Sequence, residues 1–138
     1  MDVRQIMTTK VVTVEMDDRL SAVKEIFDNV RFHHLLVVER GKLRGVLSDR
    51  DLLRVLSPNV GTNRETVKDA ASLNKRVHQI MTRDPVTLAP DASVRQAIEV
   101  FNTHRISCIP IVGTAGEVVG LLSWRDILRA LLAETPPL

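Results

Sequence analysis

With 138 residues, 44% of them hydrophobic, and a net charge of only +2, the chain has the makings of an ordinary compact domain and is too apolar for disorder. Aromatic residues make up 3% and tyrosine is absent, so the core must come from Val, Ile, Leu, Ala and Met. The charges are scattered, without the basic clusters and stacking aromatics of a nucleic-acid footprint, and nucleic acid is not an expected partner.

The lone cysteine, Cys108, excludes an internal disulfide and suits a reducing compartment. No charged-then-apolar leader opens the sequence, and no apolar run approaches the roughly 18 residues of a membrane span. A soluble, cytoplasmic protein without membrane contact is expected.

The chain opens with VRQIMTTKVVTV (3–14), and the same phrase returns as VHQIMTRDPVTL (77–88). Val3, Gln5, Ile6, Met7 and Thr8 recur as Val77, Gln79, Ile80, Met81 and Thr82, and farther on Glu25, Phe27 and Arg31 recur as Glu99, Phe101 and Arg105. After one residue inserted in a turn, GVLSDRDLLRVL (45–56) aligns with GLLSWRDILRAL (120–131). The repeat therefore runs the length of both halves.

In chain order, VVTV (11–14) reads as a strand, and Leu20, Val23, Ile26, Phe27 and Val30 then recur at helical spacing. LLVVE and LRGVL read as strands joined by ERGK, with Gly41 supplying the positive φ of a tight turn. DLLRVL closes the half as an amphipathic helix. Residues 57–74 (SPNVGTNRETVKDAASLN) lack repeat identity and read as a linker with a short helix near Glu65 to Ala71.

The second half repeats the rhythm. PVTL (85–88) reads as a strand, Ser93 with Gln96 forms a capping box ahead of Val94, Ala97, Val100 and Phe101, IPIV and VVGLL flank a turn at Gly116, and DILRALLA is the last helix. One such unit cannot bury the apolar face of its small sheet alone.

Three features in fixed order, twice, carry a resemblance: the Ile-Met-Thr opening, the ISCIPIV type of strand, and Gly-apolar-apolar-Ser-x-x-Asp leading into a helix (GVLSDRD, GLLSWRD). Together they resemble the CBS domain, which occurs in tandem pairs called Bateman modules. The resemblance implies an α+β (α/β) fold of two β-α-β-β-α repeats packed by pseudo-two-fold symmetry through their sheets. It places repeat 1 at 1–60, a linker at 61–75 and repeat 2 at 76–135. It also implies a stand-alone regulatory pair that binds AMP, ADP or ATP, or NAD or S-adenosylmethionine, in clefts between the repeats. Such a pair forms a homodimer and signals to an unidentified partner protein.

Ser48 with Asp51 and Ser123 with Asp126 begin helices after strands. Capping alone explains such a pair. A helix mouth also suits phosphate, and a carboxylate can accept both hydroxyl protons of a ribose. By resemblance, Asp51 and Asp126 hold the ribose hydroxyls, with Ser48 and Ser123 against ribose or phosphate. Arg50, Arg125, Arg31 and Arg105 suit a phosphate clamp, being forked and permanently charged, or simply a solvated surface. His104-Arg105 resembles the His-Arg pair that contacts phosphate in the γ subunit of AMP-activated protein kinase; the first half has Val30-Arg31 instead.

By the same resemblance the adenine slots are completed across the pair. The Asp126 site would use Leu121 with Gln5, Met7, Phe32 and His33, and the Asp51 site would use Val46 with Gln79, Met81, Ile106 and Ser107. Asp49 corresponds to Trp124, and an extra carboxylate repels a polyphosphate, so the Asp126 site is expected to be the tighter. His33, His34, His78 and His104 have no metal-ligand spacing, and no metal is expected beyond Mg²⁺ carried by a nucleotide. The chain lacks the glycine-rich phosphate loops and nucleophile motifs of enzymes, and no catalysis or required cofactor is expected. The alternative reading is a structural or interaction module with vestigial nucleotide sites.

Overall fold

The computed structural model describes residues 1–134. The chain divides into two compact units. Residues 12–40 and 44–84 form one, called the Asp51 unit; residues 1–11, 41–43 and 85–134 form the other, the Asp126 unit.

In the Asp51 unit the order is β1 (Thr13–Glu15), α1 (Leu20–Asn29), β2 (His34–Glu39), β3 (Lys42–Ser48), α2 (Asp49–Val55), α3 (Val67–Ala71) and β4 (Thr82–Arg83). Its sheet has the order β1-β2-β3-β4. β1 lies parallel to β2 (Val14 opposite Val37), and β4 runs antiparallel to β3 (Thr82 opposite Val46). Arg40 and Gly41 form the β2–β3 turn with φ of 53° and 78°, the left-handed pair that a two-residue hairpin requires. α1 begins at Leu20 and buries Leu20 and Val23 against Leu35, Val37 and Leu47. Removing a fully buried leucine such as Leu47 would cost about 2–5 kcal/mol.

The Asp126 unit contains α4 (Val94–Thr103), β5 (Cys108–Val112), β6 (Val118–Ser123) and α5 (Trp124–Glu134). Ser93 caps α4 as its sequence predicts: its Oγ accepts the Gln96 N–H at 3.0 Å while the Ser93 N–H reaches Gln96 Oε1 at 2.8 Å. β5 and β6 pair antiparallel from Cys108 opposite Ser123 to Val112 opposite Val118. Leu88 bridges Ile111 in parallel, and Thr8 bridges Leu121 antiparallel. The order Leu88, β5, β6, Thr8 thus repeats β1-β2-β3-β4. The core is repeated as well: Val3, Phe101, Ile109, Ile111 and Leu122 take the places of Val77, Phe27, Leu35, Val37 and Leu47.

Two strand expectations need correction. PVTL is not a strand: of its residues only Leu88 makes a bridge, and Pro85 has no N–H to donate to a ladder. VVTV enters the sheet only at Thr13. Conversely, β4 at Thr82–Arg83 was not expected.

The openings of the two halves also change places. Residues 1–11 build onto the second half, with the Val3 N–H on the Ala92 carbonyl at 2.8 Å. Residues 76–84 build onto the first, with the Val77 N–H on the Asp18 carbonyl at 2.9 Å. The linker helix α3 forms where expected, capped by Thr66, whose Oγ1 accepts the Asp69 N–H at 3.2 Å. Among the described residues no helix is long and apolar enough to cross a membrane.

Candidate functional site

The Ser-x-x-Asp motif stands at the same place in each unit, where the last strand of the hairpin turns into a helix. In the Asp51 unit Ser48 caps α2: its Oγ accepts the Asp51 N–H at 3.0 Å, and its own N–H donates to Asp51 Oδ2 at 2.8 Å. Arg54 stands 3.9 Å from Asp51 Oδ1, and the Asp51 side chain is 23% exposed.

In the Asp126 unit the motif is closed. Among the described residues Asp126 is the one buried charged side chain, at 4% exposure. Its Oδ2 accepts the Ser123 N–H at 2.9 Å and the Ser123 hydroxyl at 3.2 Å. Its Oδ1 accepts the Thr8 hydroxyl at 3.1 Å and Arg129 Nη1 at 3.2 Å. A buried carboxylate without such donors would carry a desolvation penalty of several kcal/mol, roughly the price of leaving an ion unpaired in an apolar interior.

Thr8 is held there by backbone. Its N–H and C=O exchange hydrogen bonds of 2.9 Å with Leu121. The approach is close enough to require glycine next door: a β-carbon on Gly120 would lie 2.6 Å from the Met7 sulfur and 2.9 Å from the Thr8 carbonyl oxygen. The Asp51 unit repeats this: a β-carbon on Gly45 would lie 2.9 Å from the Met81 sulfur and 2.7 Å from the Thr82 carbonyl oxygen. The Ile-Met-Thr and Gly-apolar-apolar-Ser motifs are therefore two sides of one contact, made once in each unit.

The remaining candidates fall as follows. Leu121 and Val46 are half-buried on β6 and β3, opposite Thr8 and Thr82. Met7 is half-buried and Met81 buried, each packed on its unit's core. The Gln5 and Gln79 side-chain oxygens cap short 3₁₀ turns, accepting the Asp2 and Arg76 N–H at 2.8 and 2.7 Å. Arg50, Arg125, Arg31 and Arg105 are exposed. His104 ends α4, with its Nδ1 3.2 Å from the Val100 carbonyl. Phe32 and His33 lie in the Asp51 unit ahead of β2, and Ile106 and Ser107 hold the matching place ahead of β5 in the Asp126 unit.

His33 Nδ1 meets Asp49 Oδ2 at 2.8 Å on an exposed surface. Beside it, burial holds the His34 imidazole below its ordinary 6.5; Asp49 and Asp51 oppose that shift, while His33 and Arg50 add to it. Among the described residues no three His, Cys, Asp or Glu side chains are arranged to hold a metal.

Two participants were missed from sequence, Thr8 and Arg129. Thr8 carried a signal, recurring as Thr82 in a motif with no local structural duty. Arg129 recurs as Arg54, three residues beyond each Asp.

A separate apolar groove of about 290 Å³ lies on the α4–α5 face, lined by Ile98, Phe101, Asn102, Trp124, Ile127 and Leu128. The Phe101 and Trp124 rings meet edge to face, 6.2 Å apart. None of the residues assigned to nucleotide lines it.

A curated relative, a CBS domain-containing protein of Dictyostelium discoideum, is 28% identical over 98% of this chain and 94% of its own length. Of other curated relatives the chain spans 46% or 22% of the length. The CBS domain pair of protein MJ0100, solved with 5′-methylthioadenosine and S-adenosyl-L-methionine, superposes with a TM-score of 0.80 at 24% identity, covering 98% of each chain. CBSX2 of Arabidopsis thaliana, solved with AMP, gives 0.80 at 22% identity, covering 96% of this chain and 97% of its own. The family model for the CBS domain matches residues 3–58 and again 77–133. With both repeats matched and the fold shared over nearly the whole length, this chain belongs to the CBS domain family, as a tandem pair of CBS domains.

Proposed function

We propose that the chain is a regulatory module that binds an adenosine-containing nucleotide of the AMP, ADP or ATP class and passes its occupancy to a partner protein. The observation that carries this reading is the twice-built carboxylate at a strand-to-helix junction, flanked each time by a serine and by the threonine segment from the other half of the sequence. An acceptor-only group beside a helix start matches a ribose diol followed by phosphate. Ser48, Asp51, Ser123 and Asp126 take the ribose, and exposed Arg31, Arg50, Arg105 and Arg125, with His104, are within the chain's supply of phosphate donors. The ligands of two similar structures, S-adenosyl-L-methionine and AMP, share that adenosyl half. Such a ligand regulates only through its differential affinity for two arrangements of the protein. The role assigned is binding, without catalysis.

A thermal-shift panel of AMP, ATP, NAD and S-adenosylmethionine tests this. A ligand at about a hundred times its Kd adds about 2.7 kcal/mol of stability. The shift should vanish in the Asp51→Ala, Asp126→Ala double variant. The saturated hydrogen bonding of Asp126 favours a second reading, a structural carboxylate in a vestigial site; no shift with any adenosyl ligand would select it.

The α4–α5 groove is assigned to a second copy of the same face. Ile98, Trp124 and Leu128 are exposed there at 42%, 56% and 62%. In the Asp51 unit Lys24 stands where Ile98 does and pairs with Asp28 at 2.6 Å, and Asp49 stands where Trp124 does, while Leu53 keeps the apolar character of Leu128. An apolar face of this kind is complemented by itself under a two-fold axis, and a Trp-centred apolar cluster is the usual energetic centre of such an interface.

A further inference from the structure

We infer that Arg129 is a displaceable latch on the Asp126 carboxylate, which a ribose diol must move aside in order to bind. This rests on the nucleotide reading above and adds a residue and a competition that the reading does not contain. An ionised carboxylate offers about four acceptor positions. At Asp126 all are taken: Ser123 N–H and hydroxyl on Oδ2, Thr8 hydroxyl and Arg129 on Oδ1. A vicinal diol brings two more donors, so at least one present donor has to leave.

Three of the four come from groups anchored beside the carboxylate. The Ser123 N–H is backbone, and the Ser123 hydroxyl sits three residues from Asp126 at the start of α5. Thr8 is pinned by its two backbone bonds to Leu121 and by the contact with Gly120. Arg129 differs, because its side chain is 67% exposed and its guanidinium is rehydrated as it departs. The Asp51 unit carries the same pair in the open position, Arg54 standing 3.9 Å from Asp51 Oδ1, beyond hydrogen-bond reach. The two carboxylates thus differ in readiness. A diol reaches Asp51 without displacing an arginine and reaches Asp126 only after Arg129 swings out. For an uncharged nucleoside this argues that Asp51 is the tighter site, the reverse of the order that Asp49 suggests for a polyphosphate.

Adenosine, which has the diol and no phosphate, isolates the effect. In the Asp51→Ala background, which leaves only the latched carboxylate, Arg129→Met keeps most of the side-chain stem and removes the donor. Isothermal titration should show adenosine binding about three- to tenfold tighter in Arg129→Met than in its parent. Added salt should tighten binding to the parent and leave Arg129→Met unchanged, because the competing ion pair is screened only where it exists. 2′,3′-Dideoxyadenosine should gain nothing from the substitution. Arg129→Lys, which keeps the charge and loses the fork, serves as a folded control expected between the two. Equal or weaker adenosine binding in Arg129→Met overturns the latch while leaving the nucleotide reading intact. Adenosine binding by neither the intact chain nor any variant overturns the latch, and the nucleotide reading falls with it only when AMP and ATP also fail to bind the intact chain.

Discussion

The Thr8 hydroxyl donates to Asp126 Oδ1 across 3.1 Å although 118 positions separate the two residues in sequence. One end of the chain thereby supplies a polar partner for the buried carboxylate near the other, and the bond ties the first motif of the repeat to the last.

Thr8→Val should therefore expose the dependence directly. The substitution keeps the shape and removes the donor, leaving a buried carboxylate short of one partner. A loss of about 1–3 kcal/mol is expected in urea denaturation. Thr82 is exposed, and Thr82→Val should change stability by less than about 0.5 kcal/mol. Equal effects at the two positions would mean that the hydroxyl contact with Asp126 is energetically idle.

Gly120→Ala should be costly for a methyl group. The new β-carbon meets the Met7 sulfur, which can move, and the Thr8 carbonyl, which cannot without breaking the pairing with Leu121. Overpacking of this kind costs about 1–3 kcal/mol. Met7→Ala in the same chain should recover only the part due to sulfur. Gly45→Ala should behave alike against Met81 and Thr82.

Stability should fall on mild acidification, and His34 should account for part of the fall. Its folded imidazole titrates below 6.5 because it is buried, so the unfolded chain takes up a proton that the folded one refuses. The contribution is complete above pH 6.5 and is lost as the pH drops below it toward the lowered folded value. His34→Gln should flatten that window in denaturation at a series of pH values. Asp69 acts elsewhere: hydrogen bonds from the Ser57 side chain and the Thr66 backbone hold its carboxyl below 3.8. The stability it adds is present above 3.8 and disappears in stronger acid, where Asp69→Asn should alter the profile.

Self-association should follow the apolar face. Light scattering should report a dimer for the intact chain and a monomer for the Trp124→Glu, Leu128→Glu variant. Lys24→Ala with Asp28→Ala, on the charged counterpart, should leave the dimer unchanged. A dimer that survives the first pair, or yields to the second, would place the interface elsewhere.

Much of this was legible in the sequence because it is periodic or duplicated. Leu20, Val23 and Phe27 announce α1 by their spacing, Ser93 with Gln96 announces the start of α4, and the match of GVLSDRD to GLLSWRD announces that the two Asp residues hold equivalent places. What escaped has no period. β4 is two residues long, Thr82–Arg83, and two residues cannot show an alternation. PVTL has the composition of a strand, but Pro85 has no N–H to donate and only Leu88 pairs, in a single bridge to Ile111. Thr8 was visible as a repeated residue, yet its partner lies at the far end of the chain. The asymmetry of Arg129 and Arg54 is likewise a matter of distance, 3.2 Å against 3.9 Å, between side chains whose spacing is identical.

The exchanged openings bear on how the molecule comes into being. Residues 1–11 precede in synthesis the groups they dock on, Ala92, Gly120 and Leu121. Until those groups are made, Val3, Ile6 and Met7 have no apolar surface of their own unit to settle on, so this segment closes by a long-range contact of the kind that slows folding. A half-length chain ending in the linker would contain a first repeat lacking β4 and a leading segment with nowhere to go. Each of the two repeats visible in the sequence is thus completed by a leading segment that belongs, in sequence, to the other.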